Sequence, residues 1–263
     1  MSEDAVLYEV RDRTALITLN RPERLNAWNP DIHQGYFDSL DRAAADPDVR
    51  VIVVTGAGRG FCAGADMNVL QGIDGGGGND DGREADTRAH THAMTIPKPI
   101  IAAVNGACAG LGFVHALACD LRFAAEGAKF TVAFSRRGLI AEHGCSWTLP
   151  RLVGQAVALD LMLSGRVFLA EEAKELGVVN QVFPPDQLLD QTFAYAEDLA
   201  TNVSPTSMAV MKHQIYHHPT MAVGDALAES NKFMRESLRR PDFKEGVSSF
   251  VEKRPPEFAP YTD

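Results

Sequence analysis

Three short apolar runs, rich in β-branched residues, most constrain the fold of this chain. They occupy residues 16–19, 51–54 and 100–104, and each ends in a turn that contains glycine or asparagine. Such short runs with turn residues at their ends predict buried strands rather than helices. The segments between them are long enough for helices, and residues 30–45 carry Ile32, Phe37 and Leu40 on one helical face. Alternating strands and helices predict an α/β architecture with right-handed crossovers.

A glycine-rich stretch interrupts this alternation between residues 71 and 92. It contains four successive glycines, 75–78, followed by Asn79, Asp80 and Asp81. Glycine loses the most backbone entropy when it is ordered, so this stretch predicts a flexible surface loop. From about Pro185 onward the apolar spacing becomes helical, and residues 243–253 form a last amphipathic segment. The final third of the chain is therefore predicted to be mostly helical.

Composition and charge exclude several classes of protein. The chain has 263 residues, 45% hydrophobic and 23% charged, which is typical of a globular protein. Its formal charge of −10 would repel phosphate backbones, so we expect no nucleic-acid partner. The first eight residues lack the features of a secretory signal, and no apolar stretch is long enough for a membrane helix. We expect a cytoplasmic protein without membrane contact, whose four cysteines are free and mostly buried.

Common catalytic and cofactor motifs do not fit. Gly56, Gly58 and Gly60 follow a predicted strand, but Phe61 stands where a dinucleotide-binding fingerprint needs its third glycine. The sequence contains no phosphate-binding loop, no zinc-protease motif and no hydrolase nucleophile elbow. No metal site is predicted.

Two other segments are more informative. Residues 60–67 and 101–112 are each predicted as a strand, a turn of small residues and the start of a helix. Small side chains let backbone N–H groups approach a ligand, and the helix dipole favours negative charge there, so two such turns could form an oxyanion hole. Close packing of a helix on a strand also favours glycine and alanine, and it is the favoured explanation for each segment when taken alone.

Together with further motifs, these segments resemble the crotonase, or enoyl-CoA hydratase/isomerase, superfamily. The other matching segments are residues 20–27, 138–140, 149–154, 171–179 and 243–246. The resemblance implies a spiral of ββα turns over residues 1–195 and a C-terminal helical trimerisation region over residues 196–263. It also implies a homo-oligomer, either a trimer or a dimer of trimers.

The resemblance implies an acyl-CoA thioester as substrate, with no separate cofactor because coenzyme A is part of that substrate. The thioester oxygen would be held by the backbone N–H groups of Ala65 and Leu111. Leu111 replaces a glycine of the family pattern, but any residue can supply a backbone N–H. The other implied CoA or acyl contacts are Arg24, Ala63, Asp66, Met67, Val114, Phe134, His143, Trp147, Phe243 and Lys253.

The catalytic carboxylates depart from the family pattern. A typical hydratase of this family uses two glutamates, and the matching positions here are Val114 and Phe134. Neither side chain can exchange a proton, which puts the two-glutamate mechanism in doubt. Glu142 stands where similar dienoyl-CoA isomerases carry an aspartate, and it is the best candidate acid or base. It could equally be a charged loop residue, and the adjacent His143 is a weaker candidate.

Other polar residues have simpler interpretations. His115 is expected to be a packed histidine, Asp66 a helix cap and Asp120 a structural acid. Ser135 has no identifiable base, and Arg136 and Arg137 could face solvent, a neighbouring subunit or a phosphate. The sequence thus favours an acyl-CoA enzyme that stabilises a thioester enolate for hydration or double-bond isomerisation. The alternatives are an acyl-CoA-binding paralogue without turnover, or a thioester hydrolase, decarboxylase or C–C-cleaving enzyme on the same scaffold.

Overall fold

The computed structural model describes residues 4–71 and 86–261. The strands in these residues are β1 (Val6–Arg11), β2 (Thr14–Leu19), β3 (Val51–Gly56), β4 (Gly60–Cys62), β5 (Ile100–Val104), β6 (Ala107–Ala109), β7 (Leu121–Ala125), β8 (Lys129–Thr131), β9 (Phe168–Leu169) and β10 (Gln181–Phe183). The helices are α1 (Pro30–Ala45), α2 (Met67–Gln71), α3 (Leu111–Ala118), α4 (Cys145–Ser164), α5 (Ala170–Glu175), α6 (Leu188–Asn202), α7 (Pro205–His217), α8 (Val223–Ser237) and α9 (Pro241–Glu252). Short 3-10 turns lie at Pro22–Arg24, His92–Thr95, Ser135–Arg137 and His218–Thr220.

The strands form two sheets. The larger sheet has the order β1-β2-β3-β5-β7-β10, and the smaller one has the order β4-β6-β8-β9. Strand β1 pairs antiparallel with β2 and β9 pairs antiparallel with β8, whereas the other pairs are parallel. The predicted α/β architecture is therefore confirmed.

Successive strands alternate between the two sheets. Strands β3, β5 and β7 enter the large sheet, and β4, β6 and β8, each a few residues later, enter the small one. The side chain of Asn105, in the β5–β6 turn, donates hydrogen bonds to the carbonyl oxygens of Gly56 and Gly58 at 2.8 and 2.9 Å and so ties its turn to the preceding β3–β4 turn. Repetition of this two-strand step produces a spiral of ββα turns.

Both faces of the large sheet are buried at its inner strands β3 and β5, which explains their uninterrupted apolar runs. Ile52 and Val54 point into the main core, whereas their neighbours Val51 and Val53 point into a second core. Helix α6 covers that second face with Leu188, Ala196 and Ala200. The alternation follows from the two-residue period of a strand.

Helix α1 begins and ends where the sequence predicts. The Asn29 side chain accepts a hydrogen bond from the backbone N–H of Ile32 at 2.9 Å, and Pro30 occupies the first helical position. The predicted apolar face, formed by Ile32, Phe37 and Leu40, is fully buried. Helix α1 thus packs on the strands and delivers its polar residues to the surface.

The C-terminal third is helical, as predicted, and a buried ion pair attaches it to the strand core. The Asp120 carboxylate, before β7, accepts hydrogen bonds from Lys212 Nζ at 2.8 Å and from Tyr216 Oη at 2.9 Å. Burial lowers the pKa of Lys212, and the negative charge of Asp120 offsets part of this shift. Asp120 therefore has the structural role that its position suggested. The division predicted between residues 195 and 196 falls inside helix α6.

The predicted flexible loop of residues 71–92 differs in part from what the structure describes. The four glycines 75–78 lie outside the described residues, and Gln71 ends helix α2. Residues 86–92 are fixed to α1, because Arg88 forms ion pairs with Asp38 and Asp41 at 2.7 Å each. The expectation of a flexible surface segment was therefore wrong for residues 86–92. In the described ranges, no helix is both long and apolar enough to cross a membrane.

Candidate active site

The two small-residue turns identified in the sequence lie side by side. They follow β4 and β6, which pair in parallel with Gly60 opposite Ala107 and Cys62 opposite Cys108. Gly64 has a φ of +101°, and a Cβ there would lie 3.1 Å from the Ala109 carbonyl oxygen. Only glycine combines this backbone conformation with such a close approach. The turns therefore meet because their strands are neighbours and because Gly64 lacks a side chain.

The backbone N–H groups of Ala65 and Leu111 have no hydrogen-bond acceptor in the part of the chain that the structure describes. Hydrogen bonds from Trp28 N to Gly64 O at 2.7 Å and from Asp66 N to Trp28 O at 2.9 Å hold the backbone on either side of Ala65. Leu111 is the first residue of α3, whose initial N–H groups have no partner within the helix. Neither N–H donates to a backbone carbonyl of the described residues. Both residues line one open cleft of about 800 Å³, where they could stabilise an oxyanion.

The cleft brings together most of the residues proposed from the sequence. Its lining includes Arg24, Ala63, Ala65, Asp66, Met67, Leu111, Phe134, Glu142 and His143. Its size lies within the ordinary range for small-molecule sites. Phe134 is buried, and its ring lies near Gly110 in the second turn.

Four proposed residues do not line this cleft. Val114 is 3% exposed and packs in the main core, one turn of α3 beyond Leu111. Trp147 lies beneath the guanidinium of Arg151, which is 3.8 Å from its ring centroid. Phe243 and Lys253 lie on and after α9, and Phe243 lines a second cavity of about 470 Å³ among the C-terminal helices.

Three acidic side chains of the described residues line the cleft, and their neighbours distinguish them. Asp66 accepts hydrogen bonds from Asn68 N at 3.0 Å and from Arg21 Nη2 at 2.9 Å, and both lower its pKa. The first bond also caps α2, as predicted. Hydrogen bonds from Arg88 lower the pKa of Asp86 to about 2. These two carboxylates are therefore held as structural anions.

Glu142 is the third acidic side chain, and no arginine or lysine of the described residues pairs with it. Its Oε2 lies 3.8 Å from Nε2 of His143, and its side chain is 30% exposed. The sequence ranked His143 as the weaker candidate because neighbouring side chains often diverge. His143 has a left-handed φ of +53°, and its side chain lies beside that of Glu142. Glu142 thus differs from Asp66 and Asp86, which arginines hold.

Comparison with known proteins identifies the family to which the chain belongs. Residues 9–260 match the model of the enoyl-CoA hydratase/isomerase family. The chain belongs to the enoyl-CoA hydratase/isomerase family. It is 38% identical to the 1,2-epoxyphenylacetyl-CoA isomerase of Escherichia coli (strain K12), an alignment that covers 96% of this chain and 97% of that protein.

Solved structures agree with this assignment. An enoyl-CoA hydratase from Mycobacterium marinum is 52% identical, with a TM-score of 0.71 over 83% of this chain and 100% of that chain. An enoyl-CoA hydratase from Mycobacterium tuberculosis H37Rv is 35% identical, with a TM-score of 0.87 over 98% of this chain and 99% of that chain. The protein is therefore an acyl-CoA enzyme of the enoyl-CoA hydratase/isomerase type with the crotonase fold.

This member of the enoyl-CoA hydratase/isomerase family has a group of histidines that the sequence analysis missed. His33 of α1 and His90, before the 3-10 turn, line the cleft beside His143. Nothing in the spacing of residues 33, 90 and 143 signals their convergence, because each belongs to a different segment of the chain. Among the described residues, no three side chains of histidine, cysteine, aspartate or glutamate are placed to hold a metal ion together.

Proposed function

We propose that this protein moves a carbon–carbon double bond along the acyl chain of an enoyl-CoA thioester, with Glu142 as the proton carrier. The observation that supports this proposal is the difference among the three acidic side chains of the cleft. Arginines hold Asp66 and Asp86, whereas Glu142 has only a histidine within ion-pair distance among the described residues. One such carboxylate suffices to move a proton between two carbons.

The replacement of both family glutamates favours isomerisation over hydration. Hydration requires that a water be deprotonated and that a proton be given to carbon, which family hydratases share between two glutamates. Here the corresponding residues are Val114, packed in the core, and Phe134, an apolar part of the cleft wall. Isomerisation consumes no water and needs one group that first accepts and then returns a proton.

The proposed reaction balances without an additional reagent. The Glu142 carboxylate removes a proton from C2 of a 3-enoyl-CoA, and the electrons of the C–H bond form a dienolate. Its negative charge reaches the thioester oxygen, where the N–H groups of Ala65 and Leu111 stabilise it. Glu142 then returns the proton to C4, the charge leaves the oxygen, and 2-enoyl-CoA is released.

Several residues of the cleft fit the CoA half of the substrate. Arg24 is an exposed cation at one side of the cleft, suited to the CoA phosphates, and residues 63–67 offer a backbone edge for the adenine. We include in the proposal that the reaction requires no cofactor, because coenzyme A is part of the substrate. Full activity after exhaustive dialysis against a chelator would support this part.

A homo-oligomer and a cytoplasmic location belong to the same proposal. Helices α7–α9 expose large apolar side chains that a neighbouring subunit could cover, among them Ile215, Leu227, Phe243 and Phe250. All four cysteines are buried and free, which suits a reducing compartment. Light scattering should give the mass of a trimer or of a dimer of trimers.

Mass spectrometry of the products tests the proposed reaction. Purified protein is incubated with 3-enoyl-CoA or 2-enoyl-CoA in D₂O, beside Glu142→Gln and the matched control Glu126→Gln, which changes an exposed glutamate in the β7–β8 turn. We expect interconversion of the two esters, a loss of about 10²- to 10⁴-fold in Glu142→Gln, and no loss in the control. Retained CoA-ester binding by Glu142→Gln would show that its site is intact.

Other outcomes would reject the proposal in favour of a named alternative. Addition of one water to 2-enoyl-CoA would indicate hydration, and release of free CoA would indicate thioester hydrolysis. Tight binding of the esters without turnover would indicate a non-catalytic paralogue. Unchanged isomerisation by Glu142→Gln would exclude Glu142 as the proton carrier.

A further inference from the structure

Histidines from four segments of the chain form a cluster at one wall of the cleft. The histidine cluster comprises His33 of α1, His90, His115 of α3 and His143 of the loop before α4. His90 lies at its centre, with its ring centroid 5.4 Å from that of His33, 5.0 Å from that of His115 and 4.0 Å from that of His143. His33, His90 and His143 line the cleft, and His115 is buried behind them. The proposed isomerisation does not use this cluster.

Hydrogen bonds indicate which ring nitrogen carries the proton in the neutral histidines of the cluster. The indole Nε1–H of Trp28 donates to Nδ1 of His33 at 3.4 Å, so neutral His33 carries its proton on Nε2, which is 3.7 Å from an Asp86 oxygen. Nε2 of His115 lies 3.0 Å from Nδ1 of His90. Nδ1 of His115 is buried and has no partner among the described residues.

The position of the His115 proton determines what His90 presents to the cleft. A proton on Nδ1 of His115 would be a buried donor without an acceptor, which native structures rarely contain. A proton on Nε2 instead donates to Nδ1 of His90. Neutral His90 then carries its own proton on Nε2, and this N–H has no acceptor among the described residues. The cleft wall therefore contains a hydrogen-bond donor that lacks a partner within residues 4–71 and 86–261.

The charges near this donor restrict what it can bind. Burial, together with His143 and His33, lowers the pKa of His90 to about 4, so His90 is neutral near pH 7. Burial also lowers the pKa values of His33, His115 and His143. Among the described residues, the charged groups that line the cleft are Arg24, Asp66, Arg137, Glu142 and the Asp86 carboxylate with its Arg88 partner, and Glu142 is the one beside His143. An acyl carboxylate would be repelled by Glu142, and a plain alkyl chain would leave the His90 N–H without an acceptor.

We propose that this wall selects acyl-CoA thioesters whose acyl group carries a neutral oxygen, as a hydroxyl, ether, carbonyl or epoxide, which accepts a hydrogen bond from Nε2 of His90. His90 is then a specificity residue of the cleft, and His115 is a positioning residue that fixes its tautomer. The inference rests on the proposed function in one respect, that the acyl group enters this cleft. A site that hydrogen-bonds a substrate oxygen discriminates strongly against the analogue that lacks it.

Binding of unreactive ligands tests the selectivity separately from catalysis. Calorimetry measures the Kd of saturated acyl-CoA esters of matched length, which end in methyl or carboxylate or carry one ether or hydroxyl oxygen at successive positions along the chain. We expect at least one oxygenated ester to bind about tenfold more tightly than the alkyl ester, and the carboxylate to bind no better than the alkyl ester. His90→Phe, which keeps a ring but removes the N–H, should abolish the preference.

A neighbouring histidine provides the control. His92 bonds to Asp41 at 2.6 Å and does not line the cleft, so His92→Phe should keep the wild-type preference. An alkyl ester that binds as tightly as every oxygenated ester would overturn the inference, and so would a preference that persists in His90→Phe. An oxygen preference without any isomerisation would instead reject the proposed function and leave the selectivity of the wall intact.

Discussion

The indole ring of Trp28 stacks on the imidazole of His115, with the ring centroids 3.8 Å apart and the ring planes 14° from parallel. The backbone of the same tryptophan forms a β-bridge with Ala65, in the small-residue turn that follows β4. Trp28 therefore contacts both the turn that contains Ala65 and the histidine cluster. Because Trp28 and His115 are both buried, a change in the charge of the cluster should affect the whole fold.

Acid should destabilise this protein between pH 6.5 and about 4. The unfolded chain protonates its histidines near pH 6.5, whereas the folded chain keeps His90 neutral down to about pH 4. The unfolded state then binds more protons, so the free energy of unfolding is highest above pH 6.5 and falls as the pH drops. We expect His90 alone to account for about 2 kcal/mol, after allowance for its partial exposure.

Urea denaturation at pH 7, 5.5 and 4.5 measures this dependence. His115→Leu removes the most deeply buried histidine of the cluster, so its free energy of unfolding should change less with pH than that of the wild type, whatever its absolute value. The arginine-paired Asp66 and Asp86, whose pKa values are lowered, stabilise the fold above their unfolded pKa near 3.8, and this stabilisation is lost only as the pH falls below about 3.8. A wild-type stability that stays constant from pH 7 to 4.5 would contradict the prediction.

Removing one oxyanion donor should slow catalysis without unfolding the protein. Leu111→Pro deletes the backbone N–H at the first position of α3, where proline is tolerated in helices. We expect kcat to fall about 10²- to 10³-fold, as for other single oxyanion donors. Leu111→Ala keeps the N–H and should stay near wild-type kcat. Equal rates for the proline and alanine variants, with both folded by circular dichroism, would remove Leu111 N–H from the mechanism.

The elements that the sequence predicted correctly have local signals. Helix α1 has an asparagine cap, a proline at its first position and an apolar face of three residues, all within 16 residues. The strands in the large sheet are short β-branched runs because both faces are buried. Cys62, Cys108, Cys119 and Cys145 are free and buried, as predicted.

The histidine cluster has no comparable local signal. His33 and His90 meet because residues 86–92 return across α1, and the contacts that hold them there join residues about fifty positions apart. The prediction of a flexible loop was wrong for residues 86–92, because it rested on the glycine content and did not consider the ion pairs of Arg88. Glu142 could be singled out only through the resemblance, whereas its freedom from arginine pairing is a property of the folded chain.

Separating the buried pair of Asp120 and Lys212 should strongly destabilise the fold. In Asp120→Ala the Lys212 ammonium would keep only the carbonyl oxygens of Ala93 and Lys98 as partners, each at 3.1 Å. We expect a loss of about 3–5 kcal/mol in the free energy of unfolding, measured by urea denaturation. The double variant Asp120→Ala/Lys212→Met should recover part of this loss, because no unpaired charge remains. A double variant that is less stable than Asp120→Ala would contradict this explanation.

Arg88 should control the position of His90. Its guanidinium bonds to both oxygens of Asp86 and to Asp38 and Asp41, and it lies 5.3 Å from the ring centroid of Phe37. Arg88→Met keeps most of the side-chain volume but breaks these charge-assisted bonds, which releases residues 86–92 from α1. We expect a rise of about three- to tenfold in KM for an oxygen-bearing enoyl-CoA ester, since His90 would no longer be held at the cleft wall.

The matched control for this prediction is Arg166→Met. Arg166 also bridges two acidic residues, Asp160 and Glu172, with bonds of 2.8 and 2.7 Å, and it does not line the cleft. If the loss of any arginine bridge raised KM, both variants would show the rise. If KM depends on the position of His90, only Arg88→Met should show it. Because Arg88 also holds Asp86 as an anion, Arg88→Met should raise the pKa of Asp86 from about 2 toward its ordinary value, a shift that NMR titration of the carboxyl carbon measures directly.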